Sequence, residues 1–311
     1  MERHGNSTTP NPLLEKRRGL YGWCCAWRLA KNICRRSYKE LFYNMRPQPL
    51  ITVTNLTMAY GSFILQRELN FTIRQGDIFV IMGDSGCGKS TLLRHMIGLK
   101  EPAAGAIHFH DTNFWETSEE QRNQIMRRCG ILYQSSALLS SMTLAENVAL
   151  PLRQHTNLAP NEIAELVSLK LRLVGLAGFD RFYPSEISGG MKKRAGLARA
   201  IALDPEILFF DEPSAGLDPI SASLLDNLIL ELRDSLKATI VIVTHELASI
   251  FAIGSNSIFL DAESRTMIAS GPPQTLLETT SNRKVKQFLT RGGSLETPPA
   301  SQAPQQGNSI S

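Results

Sequence analysis

From Leu50 onward, short apolar runs alternate with longer amphipathic stretches. Ile51–Val53 and Phe71–Ile73 read as strands, followed by a turn at Gln75-Gly76-Asp77. Ile78-Phe79-Val80-Ile81-Met82 contains no polar position, as a strand covered on both faces requires. A glycine-rich turn comes next, then a helical pattern from Ser90 to Leu99. Residues from about 135 to 195 are more polar and mainly helical, which predicts a subdomain inserted before the strand Ile207–Phe210 returns to the sheet. Past Asp218 a helix is well marked. Asp218 can cap it, Pro219 suits its first turn, and Leu224, Leu225, Leu228, Ile229 and Leu232 predict one apolar face. Ile240–Val243 reads as a further buried strand. The whole pattern is α/β.

The two ends of the chain differ from this body, which is expected to span residues 47–290. Residues 1–46 hold ten of the 33 Lys/Arg and three of the 29 Asp/Glu, a local balance of +7. The remaining residues hold 23 basic and 26 acidic side chains, a balance of −3. The basic character therefore belongs to the leader, and the body gives no support for a nucleic-acid surface. Between Leu20 and Tyr43 the aromatic residues Trp23, Trp27, Tyr38, Phe42 and Tyr43 mix with Arg28, Lys31, Arg35, Arg36 and Lys39. A helix of that composition suits an anionic membrane surface. The same stretch reads equally as a poorly ordered leader, or as untranslated sequence upstream of a start at Met45. Arg291 to Ser311, rich in Ser, Gly, Pro and Gln, is expected to be disordered.

No uninterrupted apolar run approaches the roughly 18–20 residues needed to span a bilayer. If the function is transport, the pore lies on another chain. The five cysteines (Cys24, Cys25, Cys34, Cys87 and Cys129) are odd in number and lack paired metal spacing. That favours reduced thiols over a disulfide framework or a zinc site.

The strongest chemical signal is Gly83-Asp84-Ser85-Gly86-Cys87-Gly88-Lys89-Ser90, with Thr91 next, set between a strand and a helix. This is the pattern of a phosphate-binding P-loop. Its glycines let successive backbone N–H groups turn inward around phosphate oxygens, and the helix N-terminus adds positive potential. Lys89 is placed to neutralise the β- and γ-phosphates, and Ser90 to offer its hydroxyl to Mg²⁺. Cys87, at a helix N-terminus, is expected to have a lowered thiol pKa and to be alkylated with loss of activity unless ATP protects it. Downstream, Ile207-Leu208-Phe209-Phe210-Asp211-Glu212-Pro213 is an apolar strand ending in two carboxylates. Asp211 suits Mg²⁺ held through water, and Glu212 suits the general base that polarises the attacking water.

A third element, Ile187-Ser188-Gly189-Gly190-Met191, opens a helix. With it the chain resembles the ATP-binding-cassette (ABC) ATPases over roughly residues 50–285. The resemblance implies a RecA-like P-loop NTPase core, an antiparallel β subdomain and an inserted α-helical subdomain near residues 135–195. It also implies that two copies pair head to tail. Ser188, Gly189 and Gly190 of one copy would then close over the γ-phosphate of ATP held by the other. Tyr60 matches the aromatic residue that stacks on adenine, and Gln134 the Q-loop residue that senses Mg²⁺ and touches the membrane partner. Ser214-Ala215-Gly216-Leu217-Asp218 matches the D-loop, and His245 the switch histidine at the γ-phosphate. Ile187 stands where the family usually has Leu, and Met191 where it usually has Gln.

The stretch Ser135 to Leu152, the Ser-Gly-Gly-Met turn, and the segment from Gly271-Pro272-Pro273 to Leu289 are similar to ATPases of the Mla/Mce-type phospholipid transporters of Gram-negative envelopes. That likeness implies integral-membrane permease subunits and an Mce-domain lipid-binding subunit as partners. It also implies a place on the cytoplasmic face of the inner membrane. The alternatives are an importer ATPase for amino acids or other polar solutes, and a soluble cassette ATPase outside transport.

Overall fold

A computed structural model describes residues 48–290, and from Pro49 onward the described chain is one compact unit. The expectations for the leader and the tail fall outside the described residues, as do Cys24, Cys25 and Cys34.

Two sheets make up the framework. The smaller is antiparallel, with β1 (Pro49–Tyr60) between β2 (Phe63–Arg74) and β4 (Ala104–Phe109), and β5 (Thr112–Asn113) at its edge. The larger runs β10-β9-β3-β8-β7-β6, built from β3 (Ile78–Gly83), β6 (Cys129–Leu132), β7 (Ile207–Asp211), β8 (Thr239–Val243), β9 (Asn256–Asp261) and β10 (Thr266–Ser270). All of its neighbours are parallel except the β9–β10 hairpin. Nine α-helices stand among the described residues. They are α1 (Lys89–Met96), α2 (Glu119–Arg127), α3 (Leu144–His155), α4 (Pro160–Leu173), α5 (Gly189–Ala200), α6 (Pro219–Leu236), α7 (Leu247–Ile253), α8 (Pro273–Thr279) and α9 (Arg283–Leu289).

The unbroken apolar runs follow from the period of a strand. Successive side chains point to opposite faces, and here both faces are covered. Leu208, Phe210, Ile240 and Ile242 enter a core with α3 to α6, whereas Ile207, Phe209, Val241 and Val243 enter a second core with α1 and the antiparallel sheet. Burying each such side chain contributes about 1.5–3 kcal/mol. Facing a core on both sides, these central strands have little place for polar side chains except at their ends.

The helix starts are also local. Asp218 Oδ1 accepts from Ile220 N and Ser221 N, capping α6 as its sequence predicts. Thr143 and Glu146 form a reciprocal capping box at α3. The apolar face of α6 is narrower than its pattern suggests. Leu225, Ile229 and Leu232 are buried, but Leu224 is 63% exposed. It lies one position, about a hundred degrees, from Leu225, and so falls on the solvent side of the stripe.

Gly130 in β6 is where the sheet meets the end of α5. A Cβ there would stand 2.2 Å from the Ala200 carbonyl oxygen and 2.7 Å from Leu208 Cδ2. The nearer contact is backbone, so a rotamer change cannot relieve it. Gly130→Ala is expected to destabilise the fold by at least about 1–3 kcal/mol. Urea denaturation checks this, and an unchanged midpoint would count against the contact.

Candidate nucleotide site

The strand order decides which loops meet. β3, β8, β7 and β6 lie side by side and parallel, so the segments that leave their carboxyl ends share one edge. These are the P-loop after β3, His245 after β8, Asp211 and Glu212 at the end of β7, and Gln134 after β6. All of these but Asp211, which lies behind Ser90, contribute to an open cleft of about 1200 Å³, lined by Tyr60, Gly83–Gly86, Gly88–Thr91, Gln134, Glu212 and His245.

The loop geometry depends on glycine at specific points. Gly83 has φ 146°, and a Cβ on it would stand 2.3 Å from the Leu260 carbonyl oxygen. Gly88 has φ 102°, and a Cβ there would meet Leu65 Cδ2 at 2.9 Å. Gln66, fully buried on β2, donates from Nε2 to the Cys87 carbonyl at 2.7 Å and to the Asp261 carbonyl at 3.0 Å. This residue was not legible in the sequence, because a lone Gln in a strand pattern carries no signal of what it will meet. Lys89 folds back over the loop, its Nζ donating to Gly83 O at 2.8 Å and Asp84 O at 2.9 Å.

The carboxylates divide their work by position. Ser90 Oγ donates to Asp211 Oδ1 at 2.9 Å, which brings two oxygen donors together beside the P-loop. Hard oxygen ligands of that kind suit Mg²⁺, which commonly takes one or two protein groups plus substrate phosphates. Glu212 is 8% exposed and sits in left-handed backbone at φ 49°. Its Oε1 accepts from His245 Nδ1 at 2.8 Å, while its Oε2 is buried with no partner among the described residues. That orphaned acceptor, at the edge of the cleft, is suited to receive a hydrogen bond from a water molecule.

Tyr60 is half exposed at the mouth. Its ring has Lys100 Nζ 3.0 Å from the centroid, and its hydroxyl lies 3.4 Å from Thr91 Oγ1. The far wall comes from Asp261, Glu263, Lys284, Gln287 and Phe288. The sequence assigned none of them to the nucleotide site, although the last three fall in the segment up to Leu289 that resembles the phospholipid-transport ATPases. There burial alone would raise the pKa of Asp261, but hydrogen bonds from Ser264 and Lys284 outweigh it and take the value to about 2. Beneath the cleft, Lys193 of α5 is 6% exposed. Burial holds its pKa below the usual lysine value, with Glu212 and Asp211 opposing the fall.

Ser188, Gly189 and Gly190 are not among the cleft residues. Ser188 caps α5 by accepting from Met191 N at 3.3 Å, and the turn lies at the protein surface. The structure thus separates the Ser-Gly-Gly turn from the P-loop of its own chain.

Cys87 requires a correction. It is fully buried beneath the loop, and burial pushes its thiol pKa up, with the nearby Lys89 ammonium only partly opposing. Desolvation of the thiolate outweighs the helix N-terminus that had predicted a reactive thiol. Maleimide labelling of the folded protein under native conditions should therefore leave Cys87 unmodified with or without nucleotide. Rapid, ATP-protected labelling read by peptide mass spectrometry would show that the loop opens.

Comparison with known proteins agrees with this geometry. The family described as ABC transporter matches residues 66–215. The chain is 40% identical over 242 residues to the intermembrane phospholipid transport system ATP-binding protein MlaF of Haemophilus influenzae, covering 78% of this chain and 90% of that protein. MlaF of Escherichia coli K12 is 38% identical over 240 residues, covering 77% and 88%. The probable ribonucleotide transport ATP-binding protein mkl of Mycobacterium tuberculosis H37Rv is 42% identical over 239 residues. That match spans 77% of this chain and only 66% of the mycobacterial protein. Among solved structures, the dimeric MJ0796 cassette bound to ADP and Pi superposes with a TM-score of 0.65 at 27% identity, covering 71% of this chain and 97% of that one. CbiO1 of Clostridium perfringens, part of the transporter complex cbiONQ, gives 0.69 at 27% identity, covering 78% and 97%. The P-loop, the paired carboxylates at the sheet edge and these likenesses agree: the chain belongs to the ATP-binding-cassette transporter ATPases.

Proposed function

We propose that this chain hydrolyses ATP as the motor subunit of a phospholipid transporter, attached to the inner membrane through permease subunits. The observation that carries the hydrolytic role is the Glu212 carboxylate, oriented by His245 on one oxygen and unpartnered on the other. In the proposed reaction Glu212 takes a proton from water as the water oxygen bonds to the γ-phosphorus. The bond from that phosphorus to the β–γ bridging oxygen breaks, and ADP and phosphate leave. Lys89 would release its two loop carbonyls to meet the β- and γ-phosphates, and the P-loop N–H groups would cradle the same oxygens. Mg²⁺, when bound, supplies charge neutralisation for the phosphates. Ser90, Asp211 and Gln134 would hold it. Tyr60 would stack on adenine with Lys100 behind it.

Two copies would pair so that Ser188, Gly189 and Gly190 of each complete the other's site. The surface position of that turn, and the dimeric form of the solved MJ0796 cassettes, support this pairing. Among the described residues no helix is long and apolar enough to cross a membrane, which fits a motor that acts on separate permease subunits. The likeness to MlaF, named for intermembrane phospholipid transport, supports phospholipid as cargo. An Mce-domain subunit is proposed as a further partner on the sequence resemblance alone. A polar solute is the second reading, because the mycobacterial relative is named for ribonucleotide transport.

Glu212→Gln is expected to bind ATP normally and to hydrolyse it about 10²–10⁴-fold more slowly, the usual contribution of a positioned general base. Phosphate release and equilibrium nucleotide binding check the two halves, and near-normal turnover would remove Glu212 from this role. For the cargo, the tagged protein is purified from detergent-solubilised membranes and its companions identified by mass spectrometry. A permease with an Mce-domain subunit and bound phospholipid is the expected result. A polar-solute permease would replace the cargo, and the absence of any membrane protein would overturn the transport role.

A further inference from the structure

One side of α5 grips the segment that follows β6. Lys193, Gly196 and Arg199 recur there at steps of three, so they lie along one face of the helix. Lys193 Nζ donates to the Gln134 carbonyl and, at 3.3 Å, to the Glu212 carbonyl. Gly196 admits Ser136 against the helix, since a Cβ on it would stand 3.1 Å from Ser136 Cβ and 2.8 Å from Leu132 Cδ1. Arg199 donates to the Ala137 carbonyl at 2.8 Å and to the Ser136 carbonyl at 2.9 Å. Both Ser136 and Ala137 occupy left-handed backbone, at φ 63° and 48°. Such conformations persist in residues other than glycine when their surroundings hold them, and here Arg199 does so.

The chemistry of Lys193 shows that packing alone does not explain it. Among the described residues no carboxylate oxygen lies within ion-pair distance of its Nζ, and its two partners are backbone carbonyls. An ammonium buried on those terms is costly, and a methionine would fill the same space without that cost. What the cation adds is a connection among three parts. These are the helix that begins at Ser188, the Q-loop residue Gln134, and the strand end that carries Glu212.

We propose that Lys193 and Arg199 are positioning residues that join the Ser-Gly-Gly helix and the Gln134 segment into one mechanical piece, so that closure of Ser188–Gly190 onto a second copy's ATP also sets Gln134 and Glu212 in the chain's own site. This rests on the reading that two copies share two nucleotides. Each chain then gives its P-loop to one site and its Ser-Gly-Gly turn to the other, and a stiff link inside the chain couples the two sites.

The test is steady-state ATP hydrolysis by the full-length protein across ATP concentrations, for the unaltered chain, Lys193→Met and Arg199→Met. The unaltered chain should show a Hill coefficient above one. Each variant should lower it toward one and reduce kcat about tenfold, within the usual range of a coupling effect, while ADP affinity is retained. Lys193→Arg and Arg199→Lys keep the cation and should restore cooperativity, which also separates the effect from misfolding. In a cycle with Gln134→Ala, the Lys193→Met loss should be less than additive, as expected if both act through one group. Cooperativity unchanged in folded variants, or a strictly additive cycle, would overturn the proposed link. If Glu212→Gln forms ATP-dependent dimers in gel filtration while these variants behave as the unaltered chain, the link alone fails. If no dimer forms, the two-copy reading fails and the link with it.

Discussion

A parallel strand buried on both faces has little place for charged side chains along its length. In β3, β7 and β8 the interior positions are apolar, and their polar and ionisable groups gather where the strands end. Because these strands are neighbours and run the same way, their ends form one line. That line holds the P-loop, Asp211 and Glu212, and the approach to His245. The same burial that drives the fold therefore decides where phosphate chemistry can occur. The groups at the base of the cleft are largely buried, with Glu212 8% and Lys89 9% exposed, and a fixed charge acts more strongly there than it would in solvent.

Three buried or nearly buried ionisable groups show how that site tolerates its own charge. Lys89 and Lys193 each donate to two backbone carbonyls, and Glu212 accepts from His245. None of the three has an opposite charge as a fully satisfying partner. Lys89 is held by the loop until phosphates offer stronger acceptors, and Glu212 keeps one oxygen unmatched. Incomplete satisfaction is costly for stability, and it leaves Lys89 and Glu212 ready for a ligand that satisfies them better. Lys193 differs, because it faces the structure beneath the cleft.

Much of this was legible in the sequence where cause and effect are close along the chain. The P-loop is one contiguous string, the cap of α6 is two adjacent residues, and the buried strands announce themselves by lacking polar positions. The family resemblance placed Tyr60, Gln134 and His245, which single residues could not have done. The expectations that failed did so where burial decides. Cys87 stands at a helix N-terminus in the sequence, but its depth sets its chemistry. Leu224 fits a helical apolar stripe by spacing, yet lies at its outer edge. Gln66, Lys193 and Arg199 were silent because their partners are backbone carbonyls far along the chain, and no side-chain pattern encodes a carbonyl's position.

The wall formed by β9 explains why the antiparallel sheet belongs to the same site. Leu260 presses its carbonyl against Gly83, the next residue Asp261 gives its carbonyl to Gln66, and Gln66 holds the Cys87 carbonyl. A peptide carbonyl and the N–H of the following residue point in opposite directions. Fixing the Cys87 carbonyl outward toward β2 therefore turns the Gly88 N–H the other way, away from Gln66. Leu65, the neighbour of Gln66, lies where a side chain on Gly88 would have to go. One strand of the smaller sheet thus supports the loop from below by a hydrogen bond and by close contact. The P-loop is shaped by two sheets at once, and Gly83 and Gly88 are required as much by β9 and β2 as by any phosphate.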